Sequence, residues 1–491
     1  MNSRRVNYFV FFPAVFLLLV QIGAGSVDLS SNRAYEPTPA DNLNAECIII
    51  TPSGLYFEAK QLSNFHENSL GVLTSVVNIT WIDANYNEAA DPPFLGYWDD
   101  SLRDWNQIVG YNYSLAKKIV SFLRDEVAHP NLEYVLLYGN AELVPPSFYW
   151  FDLDYAGCCP YDAWVPTDVF YGSPDHDLTP NYAVGRLPVD DNVRAQELNQ
   201  KMENWYSNLS ADWFENAAVA GGRASFSAFY LGELTNQIAI NRGYFDGFRI
   251  TKYYLTDERF NRTHMLEALS GEYGVFYEVG RGWGDSIVAF DHYFHGEKIN
   301  VTDVMNLPRS SNVSVFVSTA SGNGAFDTTV MANKPFTSEI SFGESLLFSP
   351  GGAIGYVGSA RLSTGNPVGI LDEGELRITG ETYMAHILTD FWRAFREGAE
   401  TLGNVSMKAM ADFVASQNMD DMQNKRTLFE YVLLGNPVLP MTHPREDRYE
   451  VPTTQIMNAT GSQQSFGSAV LIQGQIPVVS LGVPNSVKDL A

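Results

Sequence analysis

The segment Asn312–Phe326, Asn-Val-Ser-Val-Phe-Val-Ser-Thr-Ala-Ser-Gly-Asn-Gly-Ala-Phe, constrains the fold more than any other in this chain. Val313 to Val317 has the β-branched, apolar character of a buried strand. The run Ser321-Gly322-Asn323-Gly324 that follows is a turn, because it is built from small residues and residues that tolerate left-handed backbone. Ser321 is therefore expected at the carboxyl end of a strand, the edge at which open α/β sheets present ligand-binding and catalytic groups. Earlier in the chain, Tyr277-Glu278-Val279-Gly280-Arg281-Gly282-Trp283-Gly284 repeats the pattern, with an apolar strand from Gly274 to Val279 and a Gly-rich turn that carries Arg281 between two glycines. Two such strand-end turns suggest one shared site.

The remainder of the chain supplies the sheet and its covering helices. Strands are expected at Cys47–Thr51, around Val72–Ile79, at Tyr134–Tyr138 and over Tyr182–Val189, with helices at Tyr56–Phe65, Tyr113–Val127 and Val193–Tyr206 between and after them. A second set follows, with strands at Ala217–Gly222, Ile250–Leu255 and Gly351–Gly358 and helices near Leu231–Arg242, Met265–Leu269, Phe342–Phe348, Thr382–Arg396 and Val405–Gln417. Phe148 to Tyr161 reads as a long aromatic loop whose rings pack at an interface or line a groove. The sequence thus divides into residues 1–26, a linker 27–45, a first α/β sub-unit 46–210, a second 211–442 that carries the site strands, and a tail 443–491 with strand-like runs at Ser468–Gln473 and Pro477–Leu481.

The paired turns resemble the catalytic strands of the gingipain-type cysteine peptidases, relatives of caspases and legumains, which carry Gly-His-Gly at the first turn and Ala-Cys-x-x-Gly-x-Phe at the second. Here the first reads Gly280-Arg281-Gly282 and the second Ala320-Ser321-Gly322-Asn323-Gly324-Ala325-Phe326. Thr167-Asp168-Val169-Phe170-Tyr171 and Val184-Gly185-Arg186-Leu187-Pro188 are similar to further blocks of that family. Gly139-Asn140 and Gly435-Asn436-Pro437 stand where the family has Gly-Asp and Gly-Asp-Pro. The resemblance covers roughly residues 46 to 442 and implies an α/β, caspase-like domain of two sub-units with mainly parallel sheets flanked by helices. It implies endopeptidase action on polypeptides, with Asp168 carried over as a structural or rim residue.

The residues at the two key positions contradict that activity. Arg281 stands at the general-base position, and a guanidinium stays protonated and offers donors only. Ser321 stands at the nucleophile position, and a serine hydroxyl without a base is a weak nucleophile. The acid that the family places after the strand Ala217–Ala220 is replaced by Gly221-Gly222-Arg223-Ala224. An oxyanion cradle from the Gly322 to Gly324 amides and the Gly280–Gly282 turn is expected to survive, now beside the fixed charge of Arg281, which suits binding a carboxylate or another anion. The reading is a non-catalytic homologue that binds a peptide or an anionic group. The alternative is a hydrolase in which Ser321 is activated by His292 or His295, with Asp285 or Asp291 orienting the ring.

Arg4 and Arg5, the apolar run Phe9–Ile22 and the small residues Gly23-Ala24-Gly25-Ser26 have the order of a secretory signal, so a secreted or cell-surface protein is expected. Sequons at Asn78, Asn112, Asn208, Asn261, Asn300, Asn312, Asn404 and Asn458 agree with export and glycosylation. A net charge of −26, from 57 acidic against 31 basic residues, argues against nucleic acid and anionic membrane surfaces as partners. Cys47, Cys158 and Cys159 are too few for a disulfide framework or a structural zinc site. No cofactor or catalytic metal is expected. The acidic residues Asp175, Asp177, Asp190 and Asp191 are the one place where a structural calcium could sit.

Overall fold

Ten of the apolar runs pair into one sheet. In a computed structural model that describes residues 44–89, 108, 110–125, 128–151, 160–209, 212–222, 231–290, 296–363, 367–372, 375–441 and 444, these strands are β1 (Cys47–Thr51), β2 (Thr74–Asn78), β3 (Tyr134–Tyr138), β4 (Ala183–Leu187), β5 (Asn216–Gly221), β6 (Arg249–Tyr254), β7 (Val275–Val279), β8 (Ser314–Ser318), β9 (Ala353–Ser359) and β10 (Tyr431–Gly435). Their order is β2-β1-β3-β4-β10-β9-β8-β7-β5-β6. Every neighbouring pair is parallel except β9 with β10, which is antiparallel. The sheet is therefore two parallel halves that run in opposite directions and meet at β9 and β10. It crosses residue 210 without a break, because β10, from the end of the domain, pairs with β4 from the first segment.

Every residue of β1, β2, β3, β7, β9 and β10 is buried. Strands covered on both faces have no reason to alternate polar and apolar residues, which explains the continuous apolar runs of the sequence. Helices Tyr56–Phe65, Tyr113–Leu123, Asn192–Ser207, Leu231–Asn241, Phe342–Phe348, Tyr383–Arg396, Leu402–Ser416 and Met422–Glu430 flank the sheet. Lys201, on the helix that closes the first segment, donates from Nζ to the carbonyls of Leu346 (3.1 Å), Leu347 (2.9 Å), Ser349 (2.7 Å) and Ala353 (2.8 Å). An ammonium at the carboxyl end of helix Phe342–Phe348 satisfies carbonyls that the helix leaves open. The same contact ties the two segments together.

Three expectations need correction. The strand near Val72–Ile79 is shorter, because Asn78 ends it and caps a new helix, Ile79–Asn85, by accepting from the Thr80 amide at 2.9 Å. The aromatic stretch after Pro146 is not a loop throughout. Ser147–Trp150 pairs antiparallel with Trp164–Thr167, and Tyr149, Phe151 and Phe170 gather round Phe429 at ring separations of 4.6, 6.4 and 5.3 Å. Aromatic residues fit a buried pleated surface, and the surrounding prolines masked that signal in the sequence. The helix from Tyr113 ends at Leu123 rather than Val127.

Several expected features lie outside the described residues: the leader and nearly all of the linker (1–43), Cys158, Cys159, Arg223, Ala224, Asp291, His292, His295, and the tail from residue 445. No helix among the described residues is long and apolar enough to cross a membrane.

Candidate ligand-binding site at the ends of β7 and β8

The two turns meet because β7 and β8 are parallel neighbours. The register pairs Val315 with Val275, Phe316 with Phe276, Val317 with Tyr277 and Ser318 with Glu278. Arg281 and Ser321 each follow the last of these pairs by three residues, so they leave the sheet at the same level. Arg281 is not in an open turn, however. It begins a short strand, Arg281–Trp283, which pairs antiparallel with Ser286–Phe290, and this in turn pairs with Glu297–Asn300.

A set of short-range contacts holds this ribbon on the Ser321 turn. The Thr319 amide donates to the Glu278 carbonyl at 3.2 Å, and the Gly280 amide donates to Thr319 Oγ1 at 3.2 Å. Asn323 donates from Nδ2 to the carbonyls of Trp283 and Ser286, the latter at 3.0 Å. Gly282 sits so close to Ala320 and Asn323 that a Cβ there would lie 2.8 Å from Ala320 Cβ and 3.1 Å from Asn323 Nδ2. Gly322 has φ of 70°, the left-handed conformation that glycine adopts without strain. The amino end of helix Phe342–Phe348 fastens both turns from below, with the Phe342 amide donating to the Gly284 carbonyl at 2.8 Å and the Gly343 amide to the Asn323 carbonyl at 2.7 Å.

The chemistry at the two key positions is that of a donor and a hydroxyl. Ser321 is partly buried, and its Oγ lies 3.4 Å from Ser363 Oγ and accepts from the Ser363 amide at 3.2 Å. Ser363 is itself anchored, donating from Oγ to the Thr319 carbonyl at 2.9 Å. Arg281 is half-buried on the ribbon. Three of the amides expected in the oxyanion cradle have partners within the protein. The Gly322 amide donates to the Arg361 carbonyl at 2.8 Å, the Gly324 amide donates to the Ser359 carbonyl at 2.8 Å, and the Gly280 amide is engaged with Thr319. These three amides hold the turns together and are not directed at a ligand.

Below the turns lies a buried carboxyl that is not among the expected site residues. Glu278 has no exposed surface, and Ser318 Oγ donates to its Oε2 at 2.6 Å while accepting from the Ala320 amide at 3.0 Å. Its Oε1 has no hydrogen-bond partner among the described residues and packs against the Cα of Gly280. Burial pushes the Glu278 carboxyl up to about 7, with the Ser318 bond opposing the rise. A single carboxylate inside the apolar run Val275–Val279 was the available signal, and it marks the residue two positions before the glycine frame. Asn323 sits in the turn as expected, and its side chain is also the clamp between the turns.

The second layer consists of buried ion pairs. Arg361 and Asp327, both without exposed surface, form a bidentate pair in which Nη1 to Oδ1 is 2.9 Å, and Arg361 Nε donates to the Trp164 carbonyl at 2.7 Å. Arg186, from the Val-Gly-Arg block, makes a bidentate pair with Asp168 at 2.8 and 2.7 Å and donates to the carbonyls of Gly139 and Val144. Asp168, partly buried, thus has the structural role of partner to Arg186. Asp285 accepts from Ser286 Oγ at 3.1 Å. The four acids considered for calcium have separate local tasks: Asp175 and Asp177 face Ser173, Asp190 pairs with Arg194, and Asp191 caps helix Asn192–Ser207. No group of three or more metal-ligating side chains occurs among the described residues.

Comparison with known proteins agrees with this frame. The sequence model of peptidase family C25 matches residues 40–442. An uncharacterised protein of Archaeoglobus fulgidus is 31% identical over 328 residues, which cover 63% of this chain and 74% of that protein. Two solved structures share the fold: the complex of the Porphyromonas gingivalis RgpB pro- and mature domains (TM-score 0.53, 16% identity, 80% of this chain and 79% of that one) and the Arg-specific cysteine proteinase gingipain R, RgpB (TM-score 0.54, 16% identity, 82% and 80%). The fold is the α/β, caspase-like arrangement expected, a large and mostly parallel sheet flanked by helices, and the chain belongs to peptidase family C25, the gingipain family.

Proposed function

We propose that this chain is a non-catalytic member of its family that binds a polypeptide, or another ligand bearing an anionic group, at the former active site. The observation that carries this reading is the pair of substitutions at matched register: an arginine where the family has its general base and a serine where it has its thiol. A guanidinium cannot take a proton from a nucleophile at neutral pH, and loss of such a partner removes about a million-fold of turnover in serine peptidases. The engagement of the Gly322 and Gly324 amides supports the same conclusion. Family membership supports a polypeptide as the ligand class, and the amino-terminal leader pattern supports export.

The test is turnover of a mixed fluorogenic peptide library by the whole secreted protein, beside Ser321→Ala and the double reversion Arg281→His with Ser321→Cys. No turnover by the native protein is expected. Native turnover that disappears in Ser321→Ala would refute the proposal and establish a serine hydrolase whose base would be sought at His292 and His295.

A further inference from the structure

Strand β6 (Arg249–Tyr254) closes one end of the ten-stranded sheet. It pairs with β5 through all six of its residues, and among the described residues no strand lies on its other side. Every second N–H and C=O of such a strand points away from the sheet without a ladder partner. The strand at the opposite end, β2, is buried throughout, whereas β6 opens with exposed Arg249 and half-buried Ile250, Thr251 and Lys252. The features that usually blunt an open edge are missing here. β6 holds no proline or glycine, and its register with β5 has no bulge. Its two cations turn back to the fold: Arg249 Nε donates to Asn216 Oδ1 at 2.8 Å, and Lys252 Nζ donates to Gln237 Oε1 at 3.0 Å.

The chain itself is brought to this edge. Pro444 is buried against Gly247, two residues before β6; a Cβ on Gly247 would lie 3.0 Å from Pro444 Cβ. Residues 445–491 follow, and within them Ser468-Ala-Val-Leu-Ile-Gln473 is a run of the same length as β6, uncharged and without proline or glycine. Val and Ile favour a pleated, half-buried surface, and an uncharged run of this kind left without a partner is an aggregation hazard. The connection 445–467 reaches about 75 Å when extended, against about 20 Å for the length of β6, so the run can lie along the edge in either direction. The next strand-like run begins with Pro477, a residue that suits a new outermost strand. We propose that Ser468–Gln473 docks on β6 of its own chain as an added strand, so that the tail covers the open edge of the sheet. Two sets of unpaired ladder groups then satisfy each other. β5 separates β6 from β7, so this surface is distinct from the ends of β7 and β8 and the inference stands apart from the ligand-binding reading.

The experiment is amide hydrogen exchange of the whole chain, native and as the double variant Val470→Pro with Leu471→Pro. Alternate residues of a strand donate to one neighbour, so of two adjacent prolines one removes a donor to β6 whichever way the run faces. Exchange within residues 249–254 is expected to be at least about tenfold faster in the double variant. Ser462→Pro, in the connection, should leave it unchanged, and residues 275–279 of β7 should exchange alike in all three proteins, which shows that the fold is intact. Equal exchange of residues 249–254 in the native chain and the double variant would overturn the inference. Protection of β6 that rises with protein concentration would also overturn it, and would place a second copy of the chain at the edge.

Discussion

Replacing Glu278 by glutamine should change how stability depends on pH. In the folded chain burial raises this carboxyl from its ordinary 4.5 to about 7, and no cation is among the causes that act on it. Between pH 4.5 and 7 the folded state holds the proton while the unfolded state has released it, so Glu278 lowers stability as pH rises through that window. Below it the group is neutral in both states; above it the full penalty applies, up to about 3 kcal/mol for a difference of that size. Glutamine keeps an oxygen that can accept from Ser318 Oγ and cannot ionise. Its amide nitrogen has the same unpartnered surroundings at every pH, so any packing cost is constant. Urea unfolding of native protein and Glu278→Gln at pH 4.5 and pH 8 isolates the effect, because His66, Glu344 and other buried groups titrate alike in both proteins and cancel. The variant should gain relative to the native protein by about 2 to 3 kcal/mol between the two pH values. An equal stability difference at both would show that Glu278 stays ionised in the fold and would refute this account of the site's floor.

Three further outcomes follow from other buried groups. His66, without exposed surface, is held down to about 3 by burial; its Nε2 accepts from Asn436 Nδ2 at 2.8 Å, which leaves Nδ1 to donate to Thr74 Oγ1. Asn436→Asp, which supplies an acceptor where the amide donated, should make the imidazole take a proton and raise its titration well above 3 in NMR of the ring, and an unchanged ring would refute the pairing. Asp327→Asn leaves the buried Arg361 guanidinium without its counter-charge and should cost about 3 to 5 kcal/mol by urea unfolding. Gly282→Ala puts a methyl against Ala320, Asn323 and the Ser286 carbonyl and should cost about 1 to 3 kcal/mol by urea unfolding, while Gly54→Ala, where a Cβ meets nothing, should carry no such cost.

Much of the sheet was legible because its strands are covered on both faces. Val315–Val317, Gly351–Gly358 and Tyr134–Tyr138 are apolar runs that end on or beside glycine or serine, and no helical stripe competes for them. The placement of Arg281 and Ser321 at one sheet edge was legible for the same reason. What the sequence hid is where polar groups find partners. A glycine amide in a turn looks available until the chain that passes beside it is known, and the carbonyls of Ser359 and Arg361, which engage the Gly324 and Gly322 amides, belong to β9 and the residues just after it. The sequons show the same limit. Asn78, Asn112, Asn261 and Asn300 each cap a helix, accepting from an amide two or three residues on. Asparagine is a favoured helix cap, so these four residues have a structural role in the fold that the sequon pattern alone does not reveal.

The persistence of the Gly-x-Gly and Gly-x-Gly-x-Phe frame around altered key residues has a physical reason. Gly282 is required by the approach of Ala320 and Asn323, Gly284 by Phe336, and Gly324 by Val432, whose Cγ1 would stand 2.5 Å from a Cβ there. Phe326 is fully buried with the Arg186 guanidinium over its ring at 4.6 Å. None of these contacts involves a thiol or an imidazole, so the frame is held by close packing and backbone hydrogen bonds that do not depend on the chemistry it presents. A glycine frame of this kind therefore reports the fold faithfully and the activity not at all. The activity must be read from the side chains at positions 281 and 321, and in this chain those are a permanent cation and a hydroxyl that faces another serine.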